Sequence, residues 1–171
     1  LNKGTKRGAL AWIACAALLA LPGAAWARDL QGRIGLGYNS QFANATSNFA
    51  PFATPGISLK YAFTRDLAGN LIAGVATSPS VNAVAALKFY KVLFFETNMN
   101  FYMMIGGGLV AGGGNVGFDA QGGFGAEFFI PGVESLGFQV ETGAGVDNVS
   151  GTVVVRTLGI SFLNAGIHFY F

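Results

Sequence analysis

From residue 116 onward, apolar side chains recur at every second position. Val116, Phe118, Ala120, Phe124, Ala126 and Phe128 fall on one side, and Gly117, Asp119, Gln121, Gly123, Gly125 and Glu127 fall on the other. Successive side chains of a strand point to opposite faces, so this period specifies a strand with one apolar and one polar face. The next segment repeats it, with Leu136, Phe138, Val140, Ala144 and Val146 opposing Gly137, Gln139, Glu141, Gly143, Gly145 and Asp147.

Six further segments carry strand signals: Leu30–Tyr38, Gly56–Thr64, Leu71–Thr77, Val81–Phe95, Phe101–Val110 and Arg156–Phe171. Reversals rich in Gly, Pro, Asn or Ser separate them at Asn39–Pro55, Arg65–Asn70, Ser78–Ser80, Glu96–Asn100, Ala111–Asn115, Pro131–Ser135 and Asp147–Thr152. The expectation is an all-β, antiparallel, up-and-down barrel of about eight strands. Closure removes unpaired edges and is one of only two ways for a backbone to span lipid.

The N-terminus reads as an export signal. Lys3, Lys6 and Arg7 precede an apolar run from Ala9 to Leu21, then Pro22-Gly23 and the small residues of Ala25-Trp26-Ala27. The run is shorter than the roughly 20 residues of a membrane-spanning helix. Residues 1–27 are thus expected to be a signal peptide and 28–171 the barrel. Cys15 lies within the apolar run, where Trp12-Ile13-Ala14 is a poor match to a lipidation signal, so the mature chain would have no cysteine for a disulfide or thiolate site. With 52% hydrophobic and 11% charged residues the chain is too apolar for an ordinary soluble domain, and a net charge of +2 argues against a nucleic-acid partner.

Alternation alone does not separate a membrane barrel from a soluble lipocalin-like one. The polar face does: Arg33, Lys60, Lys88, Glu127, Glu141 and His168, with Gln121, Gln139 and Asn164, suit a membrane-barrel lumen and would strand charges in an apolar ligand cavity. Phe63, Phe94, Phe95, Phe101, Phe128, Phe129, Phe138, Phe169 and Phe171 lie near one set of alternate turns, as an interfacial girdle would. The last strand alternates to its end through Leu163, Ala165, Ile167, Phe169 and Phe171.

In these respects the chain after residue 27 resembles the small eight-stranded bacterial outer-membrane barrels, such as the transmembrane domain of OmpA-type proteins. The resemblance implies termini and short turns in the periplasm, with Asn39–Pro55 as the largest external loop. It also implies outer-membrane lipid and lipopolysaccharide as surroundings, and Ile167, Phe169 and Phe171 as a signal to the barrel-assembly machinery. A periplasmic peptidoglycan-binding domain is not carried over.

Little catalytic chemistry is legible. Gly112–Gly117 satisfies G-x-G-x-x-G, but a strand pattern follows where a dinucleotide site needs a helix. A lipid-modifying enzyme needs a nucleophile beside a histidine; the single His168 has no serine two positions away on its strand face. No second His or Cys suggests a metal site, and no cofactor is expected. Arg33 and Lys60 are expected to pair with Glu127 and Glu141, plugging a lumen only just wide enough for side chains. The resulting expectation is a non-enzymatic structural or surface-interaction role, with Phe42, Phe49 and Phe52 as possible external contacts. A narrow channel and a lipid-modifying enzyme are the alternatives.

Overall fold

A computed structural model describes residues 29–40, 56–77, 81–112, 114–149, 151–158 and 163–171. Its strands are β1 (Ile34–Asn39), β2 (Gly56–Ala62), β3 (Leu67–Ala76), β4 (Asn82–Glu96), β5 (Met99–Gly112), β6 (Asn115–Ile130), β7 (Val133–Val149), β8 (Thr152–Thr157) and β9 (Asn164–Tyr170). The described residues contain no helix. From β1 to β7 each strand is antiparallel to the next. Strand β7 then pairs with β9 through Leu136–Glu141 and with β8 through Ala144–Val149, and β9 returns to β1. Strands β8 and β9 are two halves of one wall strand, so the sheet closes as an eight-stranded up-and-down barrel.

The expected final strand, Arg156–Phe171, is corrected by this arrangement. It begins earlier, at Thr152, and its described residues form two strands, whose facing ends pair through Thr157 with Ala144 and through Asn164 with Glu141. Leu158 donates its N–H to Gly143 O at 3.0 Å and buries its side chain among the interior residues. Two turns also move. Leu30–Arg33 leaves the first strand, since Arg33 N–H bonds Leu30 O and Gly32 takes a φ of 76°. The β2–β3 reversal closes by Asp66 instead of running to Asn70, because the N–H groups of Phe63 and Thr64 both bond Leu67 O. In that reversal Lys91, and after it Thr64, donate to Asp66 and hold its carboxyl below the usual carboxylate range.

The faces alternate as the period requires. Along β2, Ile57, Leu59 and Tyr61 are exposed while Gly56, Ser58, Lys60 and Ala62 are buried. A bulge between Val92 and Phe94 lets Leu93 and Phe94 both face outward. Phe129 does not belong to the outer girdle. It follows outward Phe128, points into the barrel at 5% exposure and lies 6.1 Å from the Tyr170 ring.

Close approach across the wall demands glycine at one central position. Gly37 stands between Ser58 on β2 and His168 on β9. A Cβ there would fall 1.8 Å from Ile167 O and 2.8 Å from His168 Cα, so the backbone itself would have to move. Gly122 would meet nothing closer than 3.6 Å. Gly37→Ala is therefore expected to destabilise the folded barrel by about 1–3 kcal/mol and Gly122→Ala to leave it nearly unchanged, read from the temperature at which the compact gel band converts to the unfolded one.

Candidate functional site: the polar lumen

The barrel interior gathers charges that the sequence scatters over many strands. Lys60 on β2 meets Glu127 on β6 at 2.8 Å, and Lys88 on β4 meets Glu141 on β7 at 2.6 Å. All four side chains are at most 4% exposed. Withdrawing an ion from water costs several kcal/mol even after relaxation, so such pairs persist only where their remaining lone pairs and protons are also satisfied. Here neighbours do this. Glu127 accepts from the Tyr170 hydroxyl, and Glu141 accepts from Asn164 at 2.5 Å, from Tyr102 at 3.4 Å and from Gln139. Asn70 and Gln139 both donate to the Tyr90 hydroxyl at 3.3 Å, and the Lys60 ammonium lies 4.7 Å from the Tyr90 ring centre.

Glycines on the same face make room for these long side chains. A Cβ at Gly35 would strike the Tyr170 ring at 2.7 Å, one at Gly106 would meet Lys88 Cγ at 2.9 Å, and one at Gly125 would meet the Tyr102 hydroxyl at 2.7 Å. The space over each glycine is thus already filled by a neighbour's side chain. A cavity of about 20 Å³ remains beside Lys60, Glu127 and Leu30, room for a single water.

Lys60, Glu127, Glu141 and His168 lie inside the barrel, whereas Arg33 is half-buried ahead of β1 and makes no ion pair among the described residues. The partner of Glu141 is Lys88, whose strand register carries it inward opposite Asn70 and Gly106. Ile167, Phe169 and Phe171 point outward, with the last two rings edge to face at 5.0 Å. Phe42, Phe49 and Phe52 lie outside the described residues.

His168 has a serine neighbour that its own strand does not reveal. Across side-chain-free Gly37, Ser58 Oγ lies 2.7 Å from His168 Nε2 and 2.7 Å from Asn70 Oδ1. The far side of the ring fits a catalytic arrangement less well: Nδ1 has no hydrogen-bond partner and stands 3.8 Å from Glu127 Oε1, beyond hydrogen-bond length. Ser58 and His168 are both 0% exposed, so no substrate carbonyl reaches the hydroxyl in this arrangement.

A second polar cluster, near the opposite end from the termini, joins Asp119 on β6, Asp147 on β7 and Arg156 on β8. Arg156 Nε donates to Asp147 Oδ2 at 2.7 Å and Nη2 to Asp119 Oδ1 at 3.2 Å, while Gln121 Nε2 donates to Asp119 Oδ2 at 3.0 Å. Strand parity puts both aspartates inward, but their meeting depends on the β6–β7 register.

No protein-family model, curated protein or solved structure matches the chain.

Removing one member of a buried pair strands the other, whereas replacing both with apolar groups does not. Lys88→Met should destabilise the barrel by about 3–5 kcal/mol. Lys88→Met combined with Glu141→Leu should recover most of that loss, measured by denaturant unfolding in detergent.

Proposed function

We propose that this chain is an integral bacterial outer-membrane barrel with a structural or surface-interaction role and a lumen closed by its own side chains. The observation that carries the reading is the inverted polarity of the wall. Leu59, Leu71, Leu87, Ile105, Leu109, Phe118 and Phe124 are 44–63% exposed on the outside, while two Lys–Glu pairs are enclosed within. Among the described residues the exposed charges Asp29, Arg65, Lys91, Glu96 and Glu134 all lie near the end that holds the termini. The rest of the outer belt has none among the described residues. A soluble protein rarely exposes so large a contiguous apolar surface, whereas lipid is its natural solvent.

Strand length supports the same reading. Strands β4 to β7 hold 14 to 17 residues, more than the roughly 9–11 that a tilted strand needs to cross a bilayer. A shallow outer groove of about 350 Å³ between Phe101, Phe124, Phe128, Val140 and Leu163 is lined almost wholly by apolar atoms and suits contact with acyl chains. The OmpA-type resemblance adds lipopolysaccharide among the surroundings, the assembly machinery as a transient partner, and Ile167, Phe169 and Phe171 as its recognition signal. External loops, including Phe42, Phe49 and Phe52, are the natural contact surface, since recognition sits on loops held by a rigid scaffold.

The closed lumen favours a plug over a channel, and the enclosed Ser58–His168 contact favours a non-enzymatic role. The expressed protein is expected in the outer-membrane fraction, with heated and unheated samples migrating differently on a detergent gel. Recovery in the soluble periplasm would overturn the reading. In planar bilayers the protein should give no stable conductance steps, and a steady conductance altered by Glu141→Gln would replace the plug with an ion path.

A further inference from the structure

The two halves of the lumen differ in charge balance. Near the termini each carboxylate has its own lysine, whereas in the second cluster two aspartates share one guanidinium, leaving a formal charge of −1. Asp119 and Asp147 face each other directly in the β6–β7 register, and one guanidinium reaches an oxygen of each. Like charges so placed repel unless something positive sits between them.

Arg156 does not complete the arrangement. It engages one oxygen of each aspartate, and Gln121 Nε2 takes the second oxygen of Asp119. Asp147 Oδ1 and Gln121 Oε1 remain buried without a donor, on residues that are 5% and 7% exposed. Arg156 Nη1 lacks an acceptor in the same cluster. Two buried hard oxygen acceptors beside two carboxylates that share one guanidinium are the chemistry that suits a small hard cation.

We propose that Asp147, Asp119 and Gln121 form a binding site for one divalent cation of the calcium or magnesium type, with Arg156 as the residue that orients both carboxylates. The guanidinium fixes Asp147 Oδ2 and Asp119 Oδ1, which leaves Asp147 Oδ1 for the ion. Gln121 Oε1 adds a neutral ligand, and water carried by the ion supplies the acceptor that Nη1 lacks. Few protein ligands and a low net charge set a weak affinity, of about 10⁻⁴–10⁻³ M, the range of extracellular calcium modules.

The test is calorimetric titration of the folded full-length barrel in detergent at pH 8 with calcium chloride, then magnesium chloride, at constant ionic strength. One saturable site per barrel is expected, at least about tenfold weaker in Asp147→Asn and weaker in Gln121→Leu, with both variants checked for the heat-modifiable band. Glu134→Gln, at the opposite end, should bind as the unmodified protein does. Absence of saturable binding would overturn the proposal, leaving a shared proton or water between the carboxylates. Equal binding in Asp147→Asn and the unmodified protein would overturn it as well. If Asp147→Asn fails to fold, Gln121→Leu gives the reading. Titration in micelles is independent of which membrane holds the barrel, so its outcome is separate from the fractionation result.

Discussion

An eight-stranded wall encloses a space only about as wide as the side chains that fill it, and this limit governs every inward position. A lysine or glutamate turned into that space has no route to bulk water, so its charge must be met on the spot. Lys60 with Glu127 and Lys88 with Glu141 meet it directly, and Tyr102, Tyr170, Asn164 and Gln139 occupy the remaining carboxylate lone pairs. The same shortage of space explains the inward glycines. Gly35, Gly106 and Gly125 are the places where a large neighbour leans, and a methyl group at any of them would contend with a side chain or backbone already there.

Face was legible in the sequence, and contact was not. A period of two assigns each residue to the lumen or the outside, so Lys60, Lys88, Glu127, Glu141 and His168 could be placed inward without any structure. Pairing requires the relative shift of strands that are far apart in sequence. That is why the sequence sets Arg33 and Lys60 against Glu127 and Glu141 where the structure pairs Lys60 and Lys88 with them, and why Ser58 beside His168 is not legible in it. The serine reaches the histidine across an intervening strand, over the one residue there with no side chain.

One contact was nearer to hand. Asp119 and Asp147 stand equidistant from Val133, the midpoint of the reversal read at Pro131–Ser135, and a hairpin folded there opposes them. The misplaced Phe129 fails for a simpler reason. Its nearness to a turn groups it with the outer aromatics, although its odd number puts it on the lumen side with Glu127. Proximity in sequence is a poor guide to face where neighbours point oppositely.

The interrupted eighth strand ties these two halves of the lumen together. Strand β9 sends Asn164, His168 and Tyr170 toward the Lys–Glu pairs, while β8 sends Arg156 toward the aspartates. Seven positions of sequence separate Thr157 from Asn164, against three between their partners Ala144 and Glu141, an excess of four. An odd excess would exchange the faces of one half, turning Arg156 into the apolar belt or His168 out of the lumen. An even excess preserves parity, so even-numbered residues face inward on both sides of the break and Val155, Ile167 and Phe169 face outward. The registers on the two sides of this step therefore keep the separation of polar inside from apolar outside on which the whole wall depends.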